Sequence, residues 1–101
     1  MTKRLKDYQE KLLRDLQDPV EANEYLNAAL MDSDPRIFLL ALKNVIEAQK
    51  TEVSTLARKA KLNRENLYRM LSPRGNPRLS SIVPLLGSLG LHLAVQPYKH
   101  K

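Results

Sequence analysis

Apolar positions in the first third of the chain fall at helical spacing. Leu5, Tyr8, Leu12, Leu13 and Leu16 make one narrow stripe. Asp18-Pro19 then closes that helix and opens another. An aspartate accepts from free N–H groups of a first turn, and a proline fits there because its missing N–H is not needed. Ala22, Tyr25, Leu26, Ala29 and Leu30 line one face of the second helix, which ends at Met31-Asp32-Ser33. Asp34-Pro35 repeats the device. The third helix, about Pro35 to Gln49, is the most apolar: Ile37, Phe38, Leu39, Leu40, Ala41, Leu42, Val45 and Ile46 cover more than one face. Such a wide apolar arc predicts a central position.

Shorter elements follow. One helix is expected near Glu52 to Ala60 with Thr51 as its cap, and another near Arg64 to Leu71 with Asn63 as its cap. Ser72-Pro73-Arg74-Gly75-Asn76-Pro77 is dense in turn formers and reads as a loop. The last helix is expected from Ser80 to Leu89. It holds Pro84, which a helix accommodates best near its first turns. The period then changes. Leu91, Leu93 and Val95 alternate with His92, Ala94 and Gln96, which predicts a strand, and no second strand is visible. The expected fold class is all-α: a small helix-turn-helix (lambda-repressor-like) bundle of five or six helices with one C-terminal β-strand. The organisation read from the pattern is an acidic helical arm at residues 1–34, a helix-turn-helix domain with its strand at residues 35–97, and a flexible tail at residues 98–101.

Composition adds an asymmetry. The chain has 101 residues and a net charge of +6. Residues 1–34 hold five Lys/Arg against eight Asp/Glu, whereas residues 35–101 hold twelve against three. Two surfaces with different partners are implied, the basic one suited to a polyanion. There is no cysteine, so disulfides and thiolate metal sites are excluded. No apolar run approaches the length of a membrane span, and the basic N-terminus is not followed by the apolar stretch of a signal peptide. The expected location is cytoplasmic, with no membrane contact.

Residues 53–70 carry the densest signal. Leu56, Ala57, Ala60, Leu62, Leu67 and Met70 take inward positions of two helices meeting at a tight joint, and Ala57 lets them cross closely. The outward face of the second helix is polar, as a helix entering a DNA major groove requires. Arg64, Glu65, Tyr68 and Arg69 fall on that face, with Asn63 at its start. An arginine can pair with both guanine acceptors, and Tyr68 can touch a phosphate or a thymine methyl. Lys50, Arg58, Lys59, Lys61, Arg74 and Arg78 are candidates for phosphates, with the amides of Gly75 and Asn76. The alternative for each is an ordinary solvated side chain.

These stretches resemble the HigA-like addiction-module antidote proteins, a branch of the Xre-type helix-turn-helix family. The matching segments are Asp18-Pro19, Glu24-Tyr25-Leu26-Asn27-Ala28-Ala29-Leu30, Phe38-Leu39-Leu40-Ala41-Leu42 and Leu56-Ala57-Arg58. They continue with Asn63-Arg64-Glu65-Asn66-Leu67-Tyr68, Leu71-Ser72-Pro73, Gly75-Asn76-Pro77 and Leu89-Gly90-Leu91-His92-Leu93. The resemblance implies a DNA-binding antitoxin that neutralises a RelE/ParE-type toxin by direct contact and represses its own operon, without cofactor. A prophage-type repressor lacking a toxin partner is the alternative. Two departures stand out. The joint that usually carries glycine has Lys61, and Pro84 replaces an ordinary helix former. A left-handed Lys61 costs about 1 kcal/mol.

Because the implied toxin class is basic, the acidic arm is its expected contact: Leu5, Tyr8, Leu12 and Leu16 as anchors, with Asp7, Asp15 and Glu21 to steer approach. A lone strand needs a partner, so Leu91, Leu93 and Val95 are expected to pair two copies into a homodimer. The rival is that this strand extends the toxin's sheet. No catalytic arrangement is apparent. His92 and His100 are isolated, and Ser72, Ser80 and Ser81 lack a nearby base.

Overall fold

The two Asp-Pro pairs act as expected. In the computed structural model, which describes residues 2–49 and 51–97, with side chains from Arg4, they open α2 (Pro19–Leu30) and α3 (Pro35–Ala48). Asp18 Oδ1 accepts from the Val20 N–H at 2.9 Å, and Asp34 Oδ1 from the Arg36 N–H at 3.0 Å. Each thereby satisfies a donor that the helix itself cannot. Before them runs α1 (Thr2–Asp15); after them come α4 (Val53–Lys59), α5 (Arg64–Met70) and α6 (Leu79–Ser88). A small bundle of six helices results among the described residues.

The wide apolar arc of α3 is buried as its pattern predicts. Leu39, Ala41, Leu42, Val45, Ile46 and Ala48 all lie in the core. Helices α1 and α2 pack on α3, and α4 packs on both α5 and α6. One polar contact ties the first layer together: the Asn44 side chain of α3 donates to the Tyr25 hydroxyl of α2 at 2.8 Å. Each large aliphatic side chain taken out of water contributes about 1.5–3 kcal/mol. Leu16, Leu42, Leu67, Leu85 and Val45 are the largest fully buried ones, so the core runs through both halves of the chain.

Helix ends in the second half rely on backbone geometry. At the end of α4, the Leu62 N–H reaches the Ala57 carbonyl at 2.7 Å and the Lys61 N–H reaches the Arg58 carbonyl at 3.0 Å. This is a Schellman closure, and it requires a left-handed residue between the two helices. Lys61 is that residue, with φ 61°, as the joint position demands. The same closure ends α6, where Gly90 takes φ 80° and the Leu91 N–H reaches the Leu86 carbonyl at 2.9 Å. Pro84 sits inside α6, beyond its first turn, and removes the bond to the Ser80 carbonyl.

Three expectations are corrected. Thr51 does not cap α4: Glu52 occupies the cap position, and its side chain makes no capping bond. Leu16 is not a free surface residue. It is 2% exposed and belongs to the core, while Leu12 and Leu13 are half-buried against it. The strand expected at Leu91, Leu93 and Val95 is not formed among the described residues. Residues 91–97 carry no ladder, because a strand is defined by its neighbour and no other described segment supplies one.

Candidate nucleic-acid interface

α5 is a seven-residue helix that depends on its start. Asn63 Oδ1 accepts from the Asn66 N–H at 2.7 Å, which is the cap its sequence position predicts. Leu67 is fully buried beneath the helix and Met70 is half-buried, so the opposite face must point outward. Arg64, Glu65, Asn66, Tyr68 and Arg69 are all exposed there. The Arg64 guanidinium lies over the Tyr68 ring, 5.8 Å from its centroid. That contact is worth about 0.5–1 kcal/mol at an exposed site and restricts the arginine's range.

The loop after α5 is held tightly against it. Ser72 Oγ donates to the Arg69 carbonyl at 2.8 Å, and the Gly75 N–H closes a turn on the Ser72 carbonyl at 2.8 Å. A Cβ at Gly75 would collide with the Met70 carbonyl. Gly75 is therefore required by close backbone approach, and its amide is already used within the turn. The expectation that this amide faces a phosphate is accordingly corrected. Asn76 beside it is exposed.

Charge is concentrated along this stretch of chain. Arg58, Lys59, Lys61, Arg64, Arg69, Arg74 and Arg78 are all exposed, and Glu65 is the one acid between residues 58 and 78. Among the described residues none of these cations forms an ion pair; the pairs present are Lys11–Asp15 at 3.2 Å and Arg36–Asp34 at 2.8 Å. Unpaired cations keep their full attraction for a polyanion. Lys50, named with them, lies outside the described residues.

The toxin-contact candidates divide. Leu5 and Tyr8 are 64% and 68% exposed on the first turns of α1. Asp7, Asp15 and Glu21 are exposed with them. Leu16, and in part Leu12, are committed to the core. Leu93 is exposed and Val95 fully so, while Leu91 is half-buried against the core. No group of three or more metal-ligating side chains stands together among the described residues. None of their helices is long and apolar enough to cross a membrane.

The Arg36–Asp34 pair displaces the titration of both partners. The Arg36 side chain donates to both Asp34 oxygens, and with the Arg36 backbone N–H it holds that carboxyl below its ordinary range. Asp34 in turn raises the guanidinium.

Comparison with known proteins agrees along nearly the whole chain. An uncharacterized protein of Haemophilus influenzae is 33% identical over 96 residues, which cover 95% of each chain. No solved structure gives a significant match. The family model described as "Probable addiction module antidote protein" matches residues 7–97, which include the later part of α1 and all of α2 to α6. The chain belongs to the family of probable addiction module antidote proteins.

Proposed function

We propose that the protein is a cytoplasmic, DNA-binding antitoxin of a type II toxin–antitoxin module. It neutralises a RelE/ParE-type toxin by direct binding, and as a homodimer it represses its own operon. It acts by binding alone and is not an enzyme. Membership of an antidote family supports the toxin partner. The observation that carries the rest is the division of the surface. Seven exposed cations without an ion pair lie between residues 58 and 78, on and beside α5, while Leu5 and Tyr8 are exposed within residues 1–34, which hold eight acids against five bases.

In this reading α4 and α5 form a helix-turn-helix. Arg64 and Arg69 read base edges in the major groove, with Asn63, Glu65 and Tyr68 beside them. Arg58, Lys59, Lys61, Arg74, Asn76 and Arg78 hold phosphates and supply the salt-dependent share of affinity. Leu5 and Tyr8 anchor the toxin, and Asp7, Asp15 and Glu21 steer its approach. A repressor without a toxin partner gives the exposed pair on α1 nothing to bind.

The test is co-expression with the product of the adjacent reading frame, read by growth and by pull-down. Growth arrest from that product alone, relieved and accompanied by co-purification when both are made, is the expected result. A harmless neighbour that does not bind would leave only the repressor reading.

A further inference from the structure

Between Leu79 and Pro97 the chain contains no Asp, Glu, Lys or Arg, although 28% of the whole chain is charged. No other charge-free stretch approaches this length. The segment is not uncharged because it is buried. On α6, Leu79 is 69% exposed and Val83 is 48% exposed, one helical turn apart on the same side. Beyond α6, Leu93 is exposed and Val95 is 99% exposed. Leu79 and Leu93 line one groove of about 610 Å3 with Phe38 and Ile82, so the helix stripe and the terminal segment belong to one surface. Asp32 and Arg36, of opposite sign, also line that groove.

The backbone of the same segment is unspent. The last main-chain bond along it is Leu91 N–H to the Leu86 carbonyl. From His92 to Pro97 no main-chain donor or acceptor meets another main-chain group among the described residues. A row of free peptide groups beside exposed apolar side chains is an unpaired edge.

We infer that this charge-free face, the Leu79–Val83 stripe of α6 with residues 91–96, is where a second copy of the chain docks. The inference rests on the dimeric state proposed above and on neither the toxin nor the operator. Charge selects the occupant. Two copies each carrying +6 repel over most of their surfaces, and this face lets them meet without opposing like charges. A partner attracted by charge would find its complement on residues 15–34, which hold six acids and no Lys or Arg, or on the basic stretch around α5 instead. The same segment of a second copy also supplies matching donors and acceptors about a two-fold axis.

Register follows from side-chain alternation. Residues opposite one another in an antiparallel pair share a face. A two-fold axis through Leu93 or Ala94 keeps Leu91, Leu93 and Val95 of both copies on one side, whereas an axis between residues sets apolar against polar positions. Pairing turns Val95 from the most exposed apolar side chain into a covered one. The axis also relates the two α5 helices, which predicts a near-palindromic operator with half-sites about 34 Å apart.

Sedimentation equilibrium on the full chain tests this, with Val95→Asp, Val83→Asp and, as a control on the other exposed apolar site, Leu5→Asp. Val95 touches nothing in the single chain that its replacement would disturb, and circular dichroism verifies that the fold is kept. Wild type and Leu5→Asp should be dimers at micromolar concentration. Val95→Asp and Val83→Asp should each raise the dissociation constant at least about tenfold, or about 1.4 kcal/mol. Hydrogen exchange should show the amides of residues 92–96 protected in the dimer and free on dilution. A dimer indifferent to both substitutions would move the contact elsewhere. Free exchange of those amides within the dimer would rule out strand pairing. A monomeric wild type would remove the dimer altogether, whereas the toxin-binding reading answers to its own co-expression test.

Discussion

Residues 2–48 and residues 53–97 each contribute three helices, but the helices are secured in different ways. Those of the first segment have 14, 12 and 14 residues, and two of them open on an aspartate cap followed by proline. Those of the second have 7, 7 and 10. A seven-residue helix is too short to hold itself, so its ends and its packing must do so. Asn63, the left-handed Lys61, the Gly75 contact and the Gly90 closure are those supports. The surfaces differ as well. The first segment exposes Leu5 and Tyr8 on α1 and carries its acidic excess in residues 15–34; the second carries exposed cations on and beside α5 and then a charge-free face. Backbone devices thus matter most where the DNA-reading surface is proposed, and side-chain anchors matter most where the toxin contact is proposed.

The sharpest way to break this division is at α1. Leu5→Asp with Tyr8→Asp should abolish protection of cells from the toxin, since central anchors each carry about 2 kcal/mol or more. Operator binding should persist. Removing residues 1–17 is a poorer test, because Leu16 would leave the core with them.

At α5, Arg64→Ala or Arg69→Ala should weaken operator binding by about 1–3 kcal/mol and leave scrambled DNA little affected. Lys59→Ala or Arg78→Ala should weaken both DNAs alike and flatten the salt dependence. Mobility shifts over a salt series separate the two groups.

Gly75→Ala should lower stability by about 1–3 kcal/mol, because its Cβ displaces backbone at the end of α5. A thermal melt would read this. An unchanged melting temperature would show that the loop yields without cost. Lys61→Gly should act in the opposite sense, raising stability by up to about 1 kcal/mol by relieving the left-handed lysine. Weaker DNA binding alongside that gain would place the Lys61 charge at a phosphate.

The smallest effect concerns acid. The carboxyl of Asp34 is held below its ordinary value by Arg36, chiefly through their side-chain hydrogen bonds. A lowered folded-state value means that the stability it lends is complete above the unfolded value of about 3.9 and is lost as pH falls through the lower folded one. Wild type should therefore lose a little more stability than Asp34→Asn below about pH 4. The pair is solvent-accessible, so the difference should be small.

Much of this was legible in the sequence for physical reasons. Asp-Pro pairs have few alternatives to opening a helix, and both did. The arc of α3 could be buried only at the centre. Asn63 caps as its position requires. Other features depend on three-dimensional neighbours. A stripe on α1 says which residues share a face but not how much of it is covered, so Leu16 entered the core while Leu5 and Tyr8 stayed exposed. Thr51 is a good cap by type, but the helix starts one residue too late for it. Alternation at residues 91–96 signals an edge, and the second strand it asks for is absent among the described residues. Gly75 reads as a turn glycine; its approach to the Met70 carbonyl appears only in the fold.

Calorimetric titration of the purified toxin into two variants tests the separation of partners most directly. The Arg64→Ala/Arg69→Ala protein should bind toxin with wild-type affinity while failing to shift operator DNA. The Leu5→Asp/Tyr8→Asp protein should show the reverse. If the arginine variant loses the toxin, or the α1 variant keeps it, the two halves of this molecule do not serve separate partners.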